Sequence, residues 1–146
     1  MEEQNIFKKK AQDGYEVCLT TKCPRKKQCL RWLVGQYIPD TRSVVVCVNM
    51  KYNGVETDSC PLFRLAEKVQ MAKGMTHIFN GDMPKRVEPF VRQKLFSHHC
   101  RTYYYEFRNG TRLIPPAIQE EIRSLFREAG WNKEVEFDSY IEDYLW

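Results

Sequence analysis

No stretch of this sequence is apolar for anything near the ~20 residues that a membrane span needs, so no membrane partner is expected. The start, MEEQNIFKKKAQDG, lacks an apolar core and a small-residue cleavage site, so no secretory signal is expected in it. The expected location is therefore cytoplasmic, where thiols are kept reduced. There is no C-x2-C pair, the strong signature of a zinc knuckle or ribbon. There is no phosphate-binding glycine loop, no nucleophile–base–acid set, no internal repeat and no low-complexity tract. These gaps lean the reading away from an enzyme.

What remains is a chain of 146 residues, 42% apolar, 29% charged and 13% aromatic. That length suits one domain and can bury a sizeable core without staples. The net charge of +4 is unevenly spread. Pro84 to Arg112 holds seven Lys/Arg against two acids, whereas Leu113 to Trp146 holds three against eight. Such polarity suggests a basic face and an acidic face; two solvated faces that neutralise each other give the same pattern.

Residues 1–14 read as a polar leader and 15–146 as one integrated domain, with a Cys-cluster half (15–74) and a helical basic and acidic half (75–146). Lys27 to Val34 reads as a helix ending at Gly35. SVVVCVNM (43–50) reads as a buried strand, and Asn53-Gly54 as a turn. Cys60-Pro61 opens a second helix, with Leu62, Leu65, Ala66 and Val69 at helical spacing and Gly74 as its stop. Asn80-Gly81-Asp82 is a break. A third helix runs from Met83 or Pro84 to Phe96, or starts at Glu88 or Pro89, where proline is tolerated. Pro115-Pro116 opens the clearest helix, with Ile118, Ile122, Leu125 and Phe126 on one face and Gly130 beyond it. Aromatic residues of the acidic tail pack it back onto the body. The fold class expected is α+β, mostly helical, a small domain with a short sheet around Ser43 to Met50.

CLTTKCPRKKQCL (18–30) sets three cysteines at C-x4-C-x5-C, and Cys60 precedes a proline as Cys23 does. Thiolates suit zinc and iron–sulfur clusters, and four close a tetrahedral site. Cys18, Cys23, Cys29 and Cys60 are the natural set. Two Cys-Pro helix starts and the nearby Lys22, Arg25, Lys26 and Lys27 are expected to favour thiolate. Zinc is the simpler occupant and an iron–sulfur cluster the alternative. Reduced thiols packed as small apolar residues, with no cofactor, and redox or disulfide chemistry also stay open. Cys47 reads as core.

His98-His99-Cys100 can supply metal ligands or an acid–base group, but no carboxylate lies at a telling spacing. Surface or partly buried histidines are the plainer reading. The segment after it, RTYYYEFRNGT, reads either as a hairpin around Asn109-Gly110 or as a helix. KLFSHHCRTYYYEFRNGTRLIPP resembles the second half of a helix-turn-helix of the Cro and phage-repressor type. Arg101-Thr102 would open its second helix and Asn109-Gly110 end it, with His98 where that family carries its turn glycine. The resemblance implies that Arg101, Tyr103, Tyr104, Arg108 and Arg112 face DNA. Through CLTTKCPRKKQCLR, SCPLF, RTYYYEFRNGTRLIPP and FDSYIEDYLW, the chain also resembles an uncharacterised bacterial domain-of-unknown-function family. That resemblance implies one integrated domain and no activity. The role expected is an accessory or regulatory binding protein with a structural four-cysteine metal site and DNA as partner. A redox or iron–sulfur protein is one alternative, and a metal-free module that binds another protein is the second.

Overall fold

A computed structural model describes residues 1–79 and 81–146. The fold is α+β with helices predominating: five α-helices and one two-stranded antiparallel sheet among the described residues. The chain divides into two compact units, residues 1–67 with 145–146, and residues 68–144. The break expected at Asn80 lies in part outside the described residues.

In the first unit, most of the polar leader is helical. Glu2–Gln12 forms helix α1, with Glu2 and Glu3 in its first turn and Lys9 and Lys10 in its last, an order that complements the helix dipole. Phe7 and Ala11, one turn apart, are buried, and Phe7 packs edge-on against Trp146 at 6.4 Å between centroids. Two apolar residues at i, i+4 were enough to dock a helix that reads as polar. A 3-10 turn at Lys26–Gln28 leads into helix α2, Leu30–Gly35, which buries Leu30, Arg31 and Val34.

SVVVCVNM is not a buried strand. Its main chain makes one bridge, between Val17 and Cys47, and Val44 and Val46 are 77% and 60% exposed. Cys47 is exposed too, so it is not core. A β-branched run is a strand only where a neighbour offers a ladder, and here a single residue does. The second expected helix is also absent. Cys60-Pro61 opens a β-turn, with the Phe63 N–H donating to the Cys60 carbonyl at 3.2 Å.

In the second unit, Lys68–Lys73 is strand β1, paired antiparallel with β2, Ser139–Tyr144, in the register Lys68↔Tyr144 to Lys73↔Ser139. Long-range pairing outweighs the helical spacing seen locally. The sheet therefore lies at 68–73 and 139–144 and not at 43–50. Gly74 leaves β1 at φ +82, and a Cβ there would sit 2.6 Å from the Asp138 carboxylate, so the position requires glycine.

Helices α3 (Val87–His99), α4 (Arg101–Asn109) and α5 (Pro116–Glu128) close one core. Val87, Val91 and Leu95 line one face of α3, Tyr104 and Phe107 come from α4, and Ile122, Leu125 and Phe126 come from α5. Pro89 is the third residue of α3, where its missing N–H costs no intrahelical bond. The open choice at RTYYYEFRNGT resolves to a helix, stopped by Gly110 at φ +80. Buried Gln119 ties this core to the sheet, donating to the carbonyls of Gln70 at 2.9 Å and Ile114 at 2.8 Å.

The Tyr104 hydroxyl is buried among the described residues with no hydrogen-bond partner. A buried donor left unpaired costs about 1–3 kcal/mol. Tyr104→Phe is therefore expected to keep or raise the melting temperature. A fall equivalent to more than about 1 kcal/mol would show that the hydroxyl is satisfied.

Candidate functional site

The four cysteines singled out by spacing are brought together. Cys18, Cys23, Cys29 and Cys60 all line one small cavity of about 20 Å³ in the first unit. Local turns aim them. The Lys26 N–H donates to the Cys23 carbonyl at 3.4 Å, so Cys23-Pro24 opens a β-turn just as Cys60-Pro61 does. Proline at the second position of such a turn presets φ. The expectation of helix starts at both pairs is thus corrected to two matching turns. Cys29 sits at the mouth of α2, where its carbonyl accepts from the N–H groups of Trp32 and Leu33. The Cys18 N–H donates to the Arg31 carbonyl at 2.9 Å.

The electrostatics also differ from expectation. Burial pushes the Cys18 thiol above its ordinary pKa, partly offset by a hydrogen bond from the Thr20 backbone N–H. The three other cysteines are close enough to push it further up. Desolvation outweighs the backbone hydrogen bond, so Cys18 is not poised as a thiolate. All six cysteines are free. Among the described residues no group of three or more His, Cys, Asp or Glu side chains is placed to hold a metal ion as it stands. The sulfurs share a cavity without closing into a coordination shell.

Three residues that spacing did not single out shape this cavity. Arg31 is buried, and it donates to the Leu62 carbonyl at 3.0 Å, the Glu16 carbonyl at 3.2 Å and the Glu16 carboxylate at 2.7 Å. Thr20, also buried, donates its hydroxyl to Glu56, while its carbonyl accepts from the Trp32 indole at 2.8 Å. Glu56 takes a left-handed φ of 66, a strained conformation for a residue with a side chain. Arg25 lies over the Phe63 ring at 3.5 Å and donates to the Asp58 carbonyl at 2.9 Å, which ties the Cys23 turn to the Cys60 turn. Arg25 was visible as one of the charges near the cysteines, and Arg31 as a charge inside the apolar LRWLV; Thr20 and Glu56 left no trace.

Of the residues expected at a DNA face, Tyr104 is not available to one. Tyr104 is fully buried. Arg112 is bonded to Glu106 and stacks over Tyr103 at 3.8 Å. Arg101 lies over the Phe96 and Tyr105 rings, and Arg108 is half-buried. Helices α3 and α4 meet at the single residue Cys100, with φ 72 and ψ 160, and not through the three- or four-residue turn of a helix-turn-helix.

A family model described as a family of unknown function, DUF6078, matches residues 1–146. The chain belongs to the DUF6078 family. No curated protein and no solved structure matches it. No helix among the described residues of this DUF6078 chain is long and apolar enough to cross a membrane.

A second cluster lies in its C-terminal unit. The Glu121 carboxylate meets His98 Nδ1 and His99 Nε2, each at 2.6 Å. Burial pushes the Glu121 carboxyl up, and the two imidazoles outweigh it, holding the group below the ordinary carboxylate value. Spacing could not show this carboxylate, which arrives from α5 more than twenty residues away. One carboxylate bonded to two rings clasps α3 to α5.

Arg31 offers the direct test of what gathers the cysteines. Arg31→Met keeps the bulk and removes three hydrogen bonds, leaving carbonyls of residues 16 and 62 unpaired. The expected loss is roughly 2–4 kcal/mol in urea unfolding of the reduced protein. A loss below about 0.5 kcal/mol would show that other contacts hold these segments.

Proposed function

We propose that this DUF6078 protein is a binding protein, not an enzyme, whose N-terminal unit is organised by one zinc ion on Cys18, Cys23, Cys29 and Cys60. One observation carries the reading: four cysteines spread over 43 positions line a single cavity. Four thiolates form a closed tetrahedral set with no open position for water or substrate, the pattern of a structural centre. A cavity of about 20 Å³ is the size of one ion or water, which favours a single metal over an iron–sulfur cluster.

Binding would draw the sulfurs inward, since a Zn–S bond is about 2.3 Å and places ligand sulfurs roughly 4 Å apart. Each thiol gives up its proton on coordination, so the raised Cys18 pKa makes affinity depend on pH. The four-thiolate centre carries excess negative charge, and Lys26 lines the cavity to offset part of it. The free energy of binding would then add to the stability of a unit with little regular structure.

The test is metal analysis of protein purified under reducing conditions without chelator. About one zinc per chain is expected, with a melting temperature that falls on chelation and recovers with zinc. The Cys23→Ser/Cys60→Ser variant should lose both the metal and the response. Iron with visible absorption would mean a cluster instead. Metal-free protein whose melting temperature ignores zinc would end the proposal.

A further inference from the structure

We infer that the surface around Arg42 is a binding site for a small monocarboxylate with a short apolar tail. It lies in the first unit and does not involve the cysteines. Its inner part is a cavity of about 70 Å³ walled mainly by Ala11, Val17, Ile38, Val44 and Val46, with Tyr15 and Arg42 also on its lining. That is about half of the ~150 Å³ cavity that accepts benzene, so it holds a branched tail of three or four carbons.

The outer part is an open pocket of about 480 Å³, and Arg42 and Val44 line both. Its other residues include Thr41 and Ser43, which precede and follow Arg42 in the chain and bring two hydroxyl-bearing side chains to its lining. Arg42 donates to the Gln12 carbonyl, and no carboxylate among the described residues is paired with it. That contact uses one of its five N–H donors. A guanidinium fork with donors to spare matches a carboxylate in two parallel hydrogen bonds. One arginine answers one negative charge, which favours a carboxylate over a phosphate dianion.

Val44 and Val46 supply the second line of argument. They are 77% and 60% exposed, yet both also line the inner cavity. A tail lodged there covers apolar surface that the protein itself leaves open, at roughly 25 cal/mol per Å². An apolar pocket with a few polar groups fixing orientation is the usual form of a small-molecule site.

The experiment is a titration of the full chain with isovalerate, followed by amide NMR shifts and calorimetry, with isovaleramide as the uncharged isostere. Saturable binding is expected with Kd at or below about 1 mM, within what seven non-hydrogen atoms can give. Shifts should centre on residues 42–46, and the amide should bind at least about tenfold weaker. Arg42→Gln, at an exposed position, should weaken the acid about tenfold or more, with a melting temperature lowered by no more than the loss of its one bond to the Gln12 carbonyl. No saturation by about 20 mM, equal binding of acid and amide, or unchanged binding by Arg42→Gln would overturn the assignment.

Discussion

The first unit depends on one buried cation. Arg31 is desolvated, and its guanidinium is spent on main-chain carbonyls from residues 16 and 62 and on the Glu16 carboxylate. Its own carbonyl accepts from the Cys18 N–H. One residue thus sets the segment that carries Cys18 against the segments that carry Cys29 and Cys60. Burying a charge is costly unless it is paired and hydrogen-bonded, and that cost forces the partners into place. Main-chain bonds repeat the arrangement alongside: Leu30 N–H to Arg64 O at 2.8 Å and Ala66 N–H to Gln28 O at 2.9 Å. The cysteine cavity is a consequence of this knot. So is the scarcity of regular structure, because the chain spends its hydrogen bonds between segments and not within them.

The second unit is held differently. Three helices and a strand pair close on a continuous apolar cluster that includes Tyr104, Phe107, Phe126 and Ile122. Its polar contacts are specific fasteners on that core: Gln119 to the sheet, Asp138 to the turn at Thr76, and Glu121 to two histidines. A unit of this kind needs no metal to hold its shape. The first unit, tied by a buried arginine and a few long-range bonds, is where an ion would matter most.

The legible parts were those whose signal is local. The stripe Ile118, Ile122, Leu125 and Phe126 named α5, and Pro115-Pro116 and Gly130 bracketed it. Of the two starts left open for α3, the later one, which puts Pro89 in the first turn, is close to the observed Val87. Cys60 was grouped with Cys18, Cys23 and Cys29 through the two Cys-Pro pairs read as helix starts; the four line one cavity, and the pairs open turns instead. What misled was equally physical. β1 finds its partner about seventy residues away, so its helical spacing was the only pattern in view. The valines of 43–50 read as core, because a β-branched run looks the same whether or not a ladder forms beside it. Helix phase, not composition, decides that Tyr104 is buried while Tyr103 and Tyr105 are half exposed. That phase removed Tyr104 from the DNA reading.

The central claim is that the four thiols form one metal centre, and zinc K-edge X-ray absorption on the purified protein addresses it most directly. The account expects a single shell of about four sulfurs at ~2.3 Å. A shell dominated by nitrogen or oxygen, or one with two sulfurs or fewer, would contradict it.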